Sequence, residues 1–382
     1  MSSSNLVRIT AIEEATYGQT PAAGDFVTAR FVSESLSGTP STTASTEIRS
    51  DRTAGGQVQV GLEVGGDING ELSGDPVQTQ FIRAAMMQPT AVPALVVTSS
   101  IDVNAIDRRL TFAEANQFVA GDMIMLSGFT EEKNNGQAYV VSVDSVGASI
   151  KIAKETIATE TGSATITRPE KLSIGTTPIS HTVEKKYLDL TEKSITYTGM
   201  LVSEMMLEMA HGNIAKSKFM FMGNGYTMPV PATTDGRTIA DASTDQPYNA
   251  SSDIGLVIVD GQVADFCIQS LSITLNNGLS PQVCMGSLAP REYSLGAATI
   301  TVSGSTYLAD ENWSLMLKKI SQEPVSIGFT VSNQDGGMTV LLHGVQLTFP
   351  DGAAEGLDQQ VSLAFSGSAT ATETGYFDIY TW

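Results

Sequence analysis

The sequence predicts a mainly β protein in which one strand–helix plan is used twice, with a further small β domain inserted into the first copy. Three observations predict it. Val58, Val60, Leu62 and Val64 alternate with Gln59, Gly61 and Glu63, the period-two pattern of a strand with one buried face. Five blocks of the first half recur in the same order in the second. Residues 90–172, entered at Pro89 and Pro93 and left at Pro169, have a different texture of short strand signals.

Taken in order, residues 1–25 read as an arm with a turn, in which Leu6, Val7, Ile9 and Ile12 can add a strand. Residues 26–36 are strand-like. Residues 37–57 form a long polar connection rich in Ser, Thr and Gly, of a length that is usually functional or disordered. The alternating strand then runs to Leu72, and Asp75-Pro76 opens a helix: Asp at the N-cap, Pro at the first helical position, Gln78 at the third. Val77, Phe81, Ile82 and Ala85 share its apolar face. In the insert, RRLTFA, DMIMLSG, AYVVSVD, SIKIAKE and SATITR read as strands parted by turns such as Asn134-Asn135-Gly136, which fits a small β-barrel or sandwich. Strands resume at SHTVEK, KSITYTGMLVSEMMLEMA and AKSKFMFMGN. Residues 226–252 form a linker dense in Pro, Thr, Ser and Asp, and the sequons at Asn249 and Asn312 read as chance matches.

After the linker the chain starts over. FVTARFVSESLSG (26–38) lines up with FCIQSLSITLNNG (266–278), and residues 298–322 repeat the strand–helix unit. There Gly304 sits where Gly66 does, and Asp310 caps a helix bearing Trp313, Met316, Leu317 and Ile320. SHTVEK matches GFTVSN (328–333), residues 195–212 match 339–356, and SKFMFMGN matches VSLAFSGS (361–368). The expected domains are 1–89 with 173–225, an inserted 90–172, a linker at 226–252, and 253–382.

Charge is the loudest compositional signal: 41 acidic residues against 21 basic, a net of −20. In residues 253–382 the only cations are Arg291, Lys318 and Lys319. Such a surface repels phosphate and argues against binding nucleic acid, though not against nucleic acid passing nearby. No apolar run approaches a membrane span, and the N-terminus has no signal-peptide pattern, so a cytoplasm is the expected place of synthesis. Cys267 and Cys284 are expected as reduced, buried small hydrophobes. His181, His211 and His343 are too dispersed for a zinc site.

No P-loop, nucleophile elbow, HExxH or dinucleotide fingerprint is present. Paired acids such as Glu13-Glu14 and Glu131-Glu132 read as solvated faces, and residues 333–337 (NQDGG) as a turn lacking the terminal Glu of a calcium loop. Met200, Met205, Met206, Met209, Met220 and Met222 read as strand core. No catalytic, cofactor or metal residue is assigned, and structural work is expected.

EEATYGQTP near the N-terminus, TEIRSDR (46–52), VGGDINGELS after it and TYTGMLVSEMMLEMAHG resemble the tail tube (major tail) proteins of long, non-contractile-tailed bacteriophages, the siphophages. The resemblance is good over about residues 12–88 and 180–225, and looser in the second copy. Residues 90–172 resemble the small β-domains grafted onto phage tail proteins. It implies that each repeat is a β-sandwich with one flanking helix, and that strands of neighbouring copies join into rings with six such domains. With two per chain, a pseudo-hexameric homotrimer follows, a hexamer being the runner-up. It further implies stacked tubes in the virion tail, assembled in the host bacterial cytoplasm, with tail tip or initiator, tape measure and terminator proteins as partners. Double-stranded DNA would cross a lumen lined by Asp, Glu and small polar residues without specific binding. Residues 37–57 and the N-terminal arm are the expected ring-to-ring contacts, and the insert is expected to point outward. The competing readings are a β-sandwich adhesin or carbohydrate-binding protein, a polysaccharide depolymerase, and the tube of a contractile system.

Overall fold

The computed structural model describes residues 3–48, 50, 53, 55–144, 146–191, 193–310, 312–350 and 360–382. Arg49, Asp51 and Arg52 of the TEIRSDR motif, and residues 351–356 of one repeated block, lie outside the described residues. The first half opens with β1 (Val7–Glu13), β2 (Phe26–Ala29), β3 (Ser33–Glu34), β4 (Ser37–Ala44) and β5 (Gln57–Glu71), then helix α1 (Pro76–Ala85). Asp75 Oδ1 accepts from the Val77 N–H at 3.1 Å, satisfying one orphan donor of the helix start. Gln78 does not close a capping box on Asp75. It accepts from the Ser73 N–H and donates to the Glu71 carbonyl, tying helix to strand.

The insert follows as β6 (Leu95–Asn104), β7 (Arg109–Phe112), β8 (Met123–Ser127), β9 (Gly136–Val143), β10 (Ser149–Ala153) and β11 (Glu160–Arg168). These close a barrel in the order β10-β7-β6-β11-β8-β9 around Ile101, Leu110, Ile124, Val140, Ile150 and Ile166. The first of these strands, β6, carries no signal in the sequence reading, because its burial pattern alternates with Ser and Thr on both sides.

The first half resumes with β12 (Glu170–Ser173), β13 (Ser180–Tyr187), β14 (Ser194–Ala210), β15 (Lys216–Gly223), β16 (Gly225–Thr227) and β17 (Ile239–Ala240). The second half holds β18 (Ile254–Val259), β19 (Gln262–Val263), β20 (Ile268–Asn276), β21 (Ser280–Gln282), β22 (Glu292–Ser294) and β23 (Thr299–Tyr307). Helix α2 (Trp313–Ser321) comes next, followed by β24 (Val325–Asn333), β25 (Gly336–Thr348), β26 (Ser362–Ala369) and β27 (Phe377–Thr381).

The two halves share one strand order. It is β3–β5–β15–β14–β13–β1–β2 in the first and β20–β23–β26–β25–β24–β18–β19 in the second, every neighbour antiparallel. β14 and β25 pass between layers: their first stretches pair with β13 and β24, their later ones with β15 and β26, the ladders shifting register on the way. Gly66 stands opposite Phe221 as Gly304 stands opposite Phe365. A Cβ at either glycine would meet a backbone carbonyl at 2.4 Å, that of Ser35 or Ser270 respectively. That contact sets Ser35 against Ser270, whereas the sequence blocks set Arg30 there. The interruption between β2 and β3 accounts for the shift.

One apolar core runs through both halves. α1 closes the first sandwich with Phe81, whose ring meets His181, Phe219 and Phe221 edge-on at 5.4, 5.5 and 5.0 Å. The N-terminal arm is built into this body: β1 lies between β13 and β2, with Ile9 and Ile12 buried. Of the expected polar connection at 37–57, residues 37–44 form a strand, β4, which pairs with β5 into a long hairpin. This hairpin overshoots the sandwich, so the alternating face of β5 is buried only from Val64 inward. Val58 and Val60 are 61% and 56% exposed. The linker is tied down: Tyr248 is buried, Thr234 donates to Glu184, and Arg237 donates to the Pro21 carbonyl. Cys267 and Cys284 are exposed rather than buried, because both fall in irregular segments flanking β20 and β21.

Candidate functional site

The titratable side chains do not assemble a reactive centre. His181 is buried in the first core with neither ring nitrogen bonded, and burial, with the Arg83 charge, lowers its pKa to about 4. His211 is exposed beyond β14. His343 lies buried beneath β27, its Nε2 2.6 Å from Asp378 Oδ2. Among the described residues no group of three or more His, Cys, Asp or Glu could hold a metal ion, and no helix is long and apolar enough to cross a membrane. Glu14, read in sequence as part of a solvated pair, is buried. It accepts from Ser180, Thr182 and the Gly199 and Gly18 amides, strapping the turn after β1 onto β13 and β14. Its donors Ser180, Thr182 and Gly199 lie far from it in sequence, so no local pattern marks it. Residues 333–337 do form a hairpin turn, and Asp335 accepts from the Gln246 amide. Met200, Met205 and Met209 are core, while Met206, Met220 and Met222 are half-buried on the opposite face.

What the fold does build is a wall. β14 pairs beyond its own half with β20, from Glu204 opposite Asn276 to Ala210 opposite Ser270. This joins the halves into one antiparallel sheet in the order β3/β4–β5–β15–β14–β20–β23–β26–β25. One face packs the core through Ile68, Phe219, Leu207, Ile273, Val302 and Phe365. By the strand period of two, the other face carries the intervening residues. In the first half these include Asp67, Glu71, Glu204 and Glu208 with Lys216 and Lys218. In the second they are small and uncharged: Ser272, Thr274, Thr301, Ser303, Ser366 and Ser368. Both lysines are matched by acids. Lys218 Nζ lies 3.1 Å from Asp67, and Lys216 stands opposite Glu208 and Glu71. Among the described residues of this face a phosphate meets two lysines, each with an acid on a neighbouring strand.

A family model described as phage tail tube protein matches residues 4–369. The chain belongs to that family. No curated protein sequence matches it. As a member of the tail tube family it is a structural component of a virion tail that self-associates into a tube and works with other tail proteins. Acids were expected on the strands of both repeats; on this face they stand in the first half, and the second half carries hydroxyls instead. The joining pair β14–β20 was also missed, since it lies between repeats and neither repeat alone signals it.

The barrel inserted into the first half is seated on the second. Met123, Tyr139 and Ala153 of the barrel form an apolar cluster with Leu256, Ile258, Leu341 and Tyr380. Beside it Lys171 Nζ lies 2.8 Å from Asp378 and 3.9 Å from Asp122, and Ser173 Oγ donates to Asp378. Burial opposes the charge on Asp378, yet the bond from His343 and the Lys171 charge hold its carboxyl below the usual range. Burial dominates at Asp122 and pushes its pKa up.

Proposed function

We propose that the chain closes into three-membered rings that stack into the hollow tail tube of a siphophage, through which double-stranded DNA passes into the host. The observation that carries this reading is the joined sheet: strands in two repeats of four, one polar face, and two unlike free edges. Three copies supply ~24 strands; at ~4.8 Å spacing they make a circumference of ~115 Å, and a tilt near ~40° widens this to a backbone diameter of roughly 45 to 50 Å. That admits a duplex once side chains are added. Six copies would double the bore, which favours the pseudo-hexameric trimer over the hexamer. Closure also removes the strand edges that otherwise promote aggregation.

The polar face would line the lumen, where its two described lysines stand beside acids and phosphates gain little from releasing counterions. The barrel rests on the sheet opposite that face, which supports an outward position. The two copies and the barrel would act as separate domains, at 1–89 with 173–225, 253–382 and 90–172. The β4–β5 hairpin is the candidate for ring-to-ring contact, since Val58 and Val60 stand bare on the part of it that overshoots the sandwich. The N-terminal arm, built into the body, is not. Assembly in the host cytoplasm, on a tip or initiator complex and around a tape measure until a terminator caps the tube, completes the reading.

Negative-stain electron microscopy with mass photometry tests it. Hollow tubes, or rings with the mass of three chains, are expected. A stable single chain at high concentration, unresponsive to an added tail-tip fraction, overturns the reading. Val58→Ser/Val60→Ser should leave rings intact and shorten tubes; full-length tubes from this variant would remove the hairpin from the axial contact.

A further inference from the structure

A cavity of about 460 Å³ opens where four parts of the chain meet: the start of α1, the linker at Tyr248, the stem of the barrel at Glu170, and the β24–β25 turn beside the end of β27. Its size falls within the range of small-molecule sites, about 300–1,000 Å³. It shares no residue with the polar face of the joined sheet, so what it holds does not depend on the ring reading.

Two buried hydroxyls on its wall have no partner among the described residues. Ser73 is 5% exposed and its Oγ is bonded to nothing. Tyr248 is 2% exposed, and its backbone is tied on both sides, the amide to Leu72 and the carbonyl to Ala215. Its hydroxyl has no such tie and lies over Gly74, another wall residue, where a Cβ would stand 3.9 Å from it. Burial, with the charges of Asp245, Asp335 and Asp253, pushes its pKa up to about 12, so it keeps its proton to donate. Buried polar groups are nearly always hydrogen-bonded, and two bare hydroxyls on one wall call for a partner that enters from outside.

The second half supplies a ring and an acid. Trp382 pairs with Gly337 through the backbone, and its indole presses on that glycine: a Cβ there would lie 2.3 Å from Cζ2 and 2.4 Å from Cε2. Glycine at 337 thus lets the ring settle against the sheet, and the ring, 40% exposed, borders the cavity. Asp335 spends Oδ2 on the Gln246 amide and keeps Oδ1 open. Glu170, on the barrel stem, is exposed and takes no donor among the described residues. No Lys or Arg lines the cavity.

We propose that this cavity is a saccharide site, taking a mono- or disaccharide unit of an uncharged glycan. Trp382 stacks on the C–H face of a pyranose ring, Ser73 and Tyr248 donate to its oxygens, and Asp335 and Glu170 accept from its hydroxyls. A sugar is apolar on its C–H face and polyhydroxylated around its rim, which matches one bare indole set among neutral donors and open carboxylates. An anionic ligand would find no cation here. A quaternary ammonium needs several ring faces, and Trp382 is the only exposed ring of the wall.

Trp313→Phe leaves Trp382 as the sole tryptophan and makes the site visible. Titration of that variant with glucose, galactose, N-acetylglucosamine and its β1,4-linked dimer should change Trp382 emission saturably for at least one sugar and shield the ring from acrylamide. Tyr248→Phe and Ser73→Ala keep the packing and remove one hydroxyl each, and each should weaken that binding about three- to tenfold. Trp382→Ala should abolish retention on the same sugar immobilised, while the chain assembles as the unaltered one does. No response to these sugars in solution or to a printed glycan array overturns the site. Binding that survives Trp382→Ala, or that ignores both hydroxyl losses, also overturns it by placing the sugar elsewhere. An emission change with choline and with no sugar overturns the ligand class.

Discussion

His181 shows what a single buried side chain does to the pH range of this protein. It is wholly buried against Phe81, with both ring nitrogens unbonded, and its pKa falls to about 4 from an ordinary 6.5. The folded chain therefore keeps the ring neutral, while the unfolded chain takes up a proton below pH ~6.5. Stability is unaffected above that pH and is lost progressively as pH falls from ~6.5 towards ~4, by about 2 kcal/mol on reaching pH 5. His181→Phe should flatten this slope in urea unfolding of unassembled chains at pH 7 and pH 5; an unchanged slope would place the acid sensitivity elsewhere. The residue scale is also where sequence reading works best for local chemistry. Asp75 before Pro76 was legible because capping depends on adjacent residues. Burial raises the Asp75 pKa, so its charge is carried at a penalty at neutral pH. Asp75→Asn keeps an acceptor for Val77 and should match or exceed the unaltered stability, whereas Asp75→Ala should lose about 1 kcal/mol. Glu14 and the two exposed cysteines were not legible, since their surroundings are assembled from distant parts of the chain.

Elements repeat this contrast at larger size. Periodicity located β5, α1 and α2 because it reports which residues share a face, but it does not report how far the neighbouring layer extends. The sandwich ends near Val64, so Val58 and Val60 continue a buried pattern into solvent. The apolar face of α2 likewise meets no second layer within its own repeat. The seat of the barrel belongs to this scale too. Lys171 leads out of the barrel on β12, which pairs with β27, and its ammonium offsets Asp378 in a nearly dry site. Removing one partner of a buried ion pair leaves the other charge uncompensated and costs about 3 to 5 kcal/mol. Lys171→Met should therefore lower the free energy of unfolding by that order and open the barrel–body junction to limited proteolysis. If neither changes, the apolar cluster around Tyr139, Leu341 and Tyr380 holds the barrel unaided.

At the scale of the whole molecule, duplication creates a sheet that is continuous in backbone and divided in chemistry. The charged residues of its polar face come from the first half, and the second half contributes hydroxyls and amides. A ring of three chains would thus present six facets alternating between acid-rich and neutral, threefold in charge though nearly sixfold in backbone. The overall charge of −20 was legible as a repulsive surface, but its distribution follows from strand pairing and was not. Passage of DNA through such a lumen would depend on the lack of unmatched cations. Glu204→Lys with Glu208→Lys would both remove acids and leave Lys216 without one of its partners. Thr301→Lys with Ser303→Lys would place cations on a facet that has no acids to match them. Both pairs lie on the polar face, so rings should still form. Assembled tubes of either variant should then retain short DNA duplexes at low salt and release them as salt rises, with the second pair the stronger, and virions carrying them should eject more slowly. Tubes that assemble with either pair yet ignore DNA at low salt would mean that this face looks outward, because unmatched lysines in a bore of this width cannot avoid the phosphates of a transiting duplex.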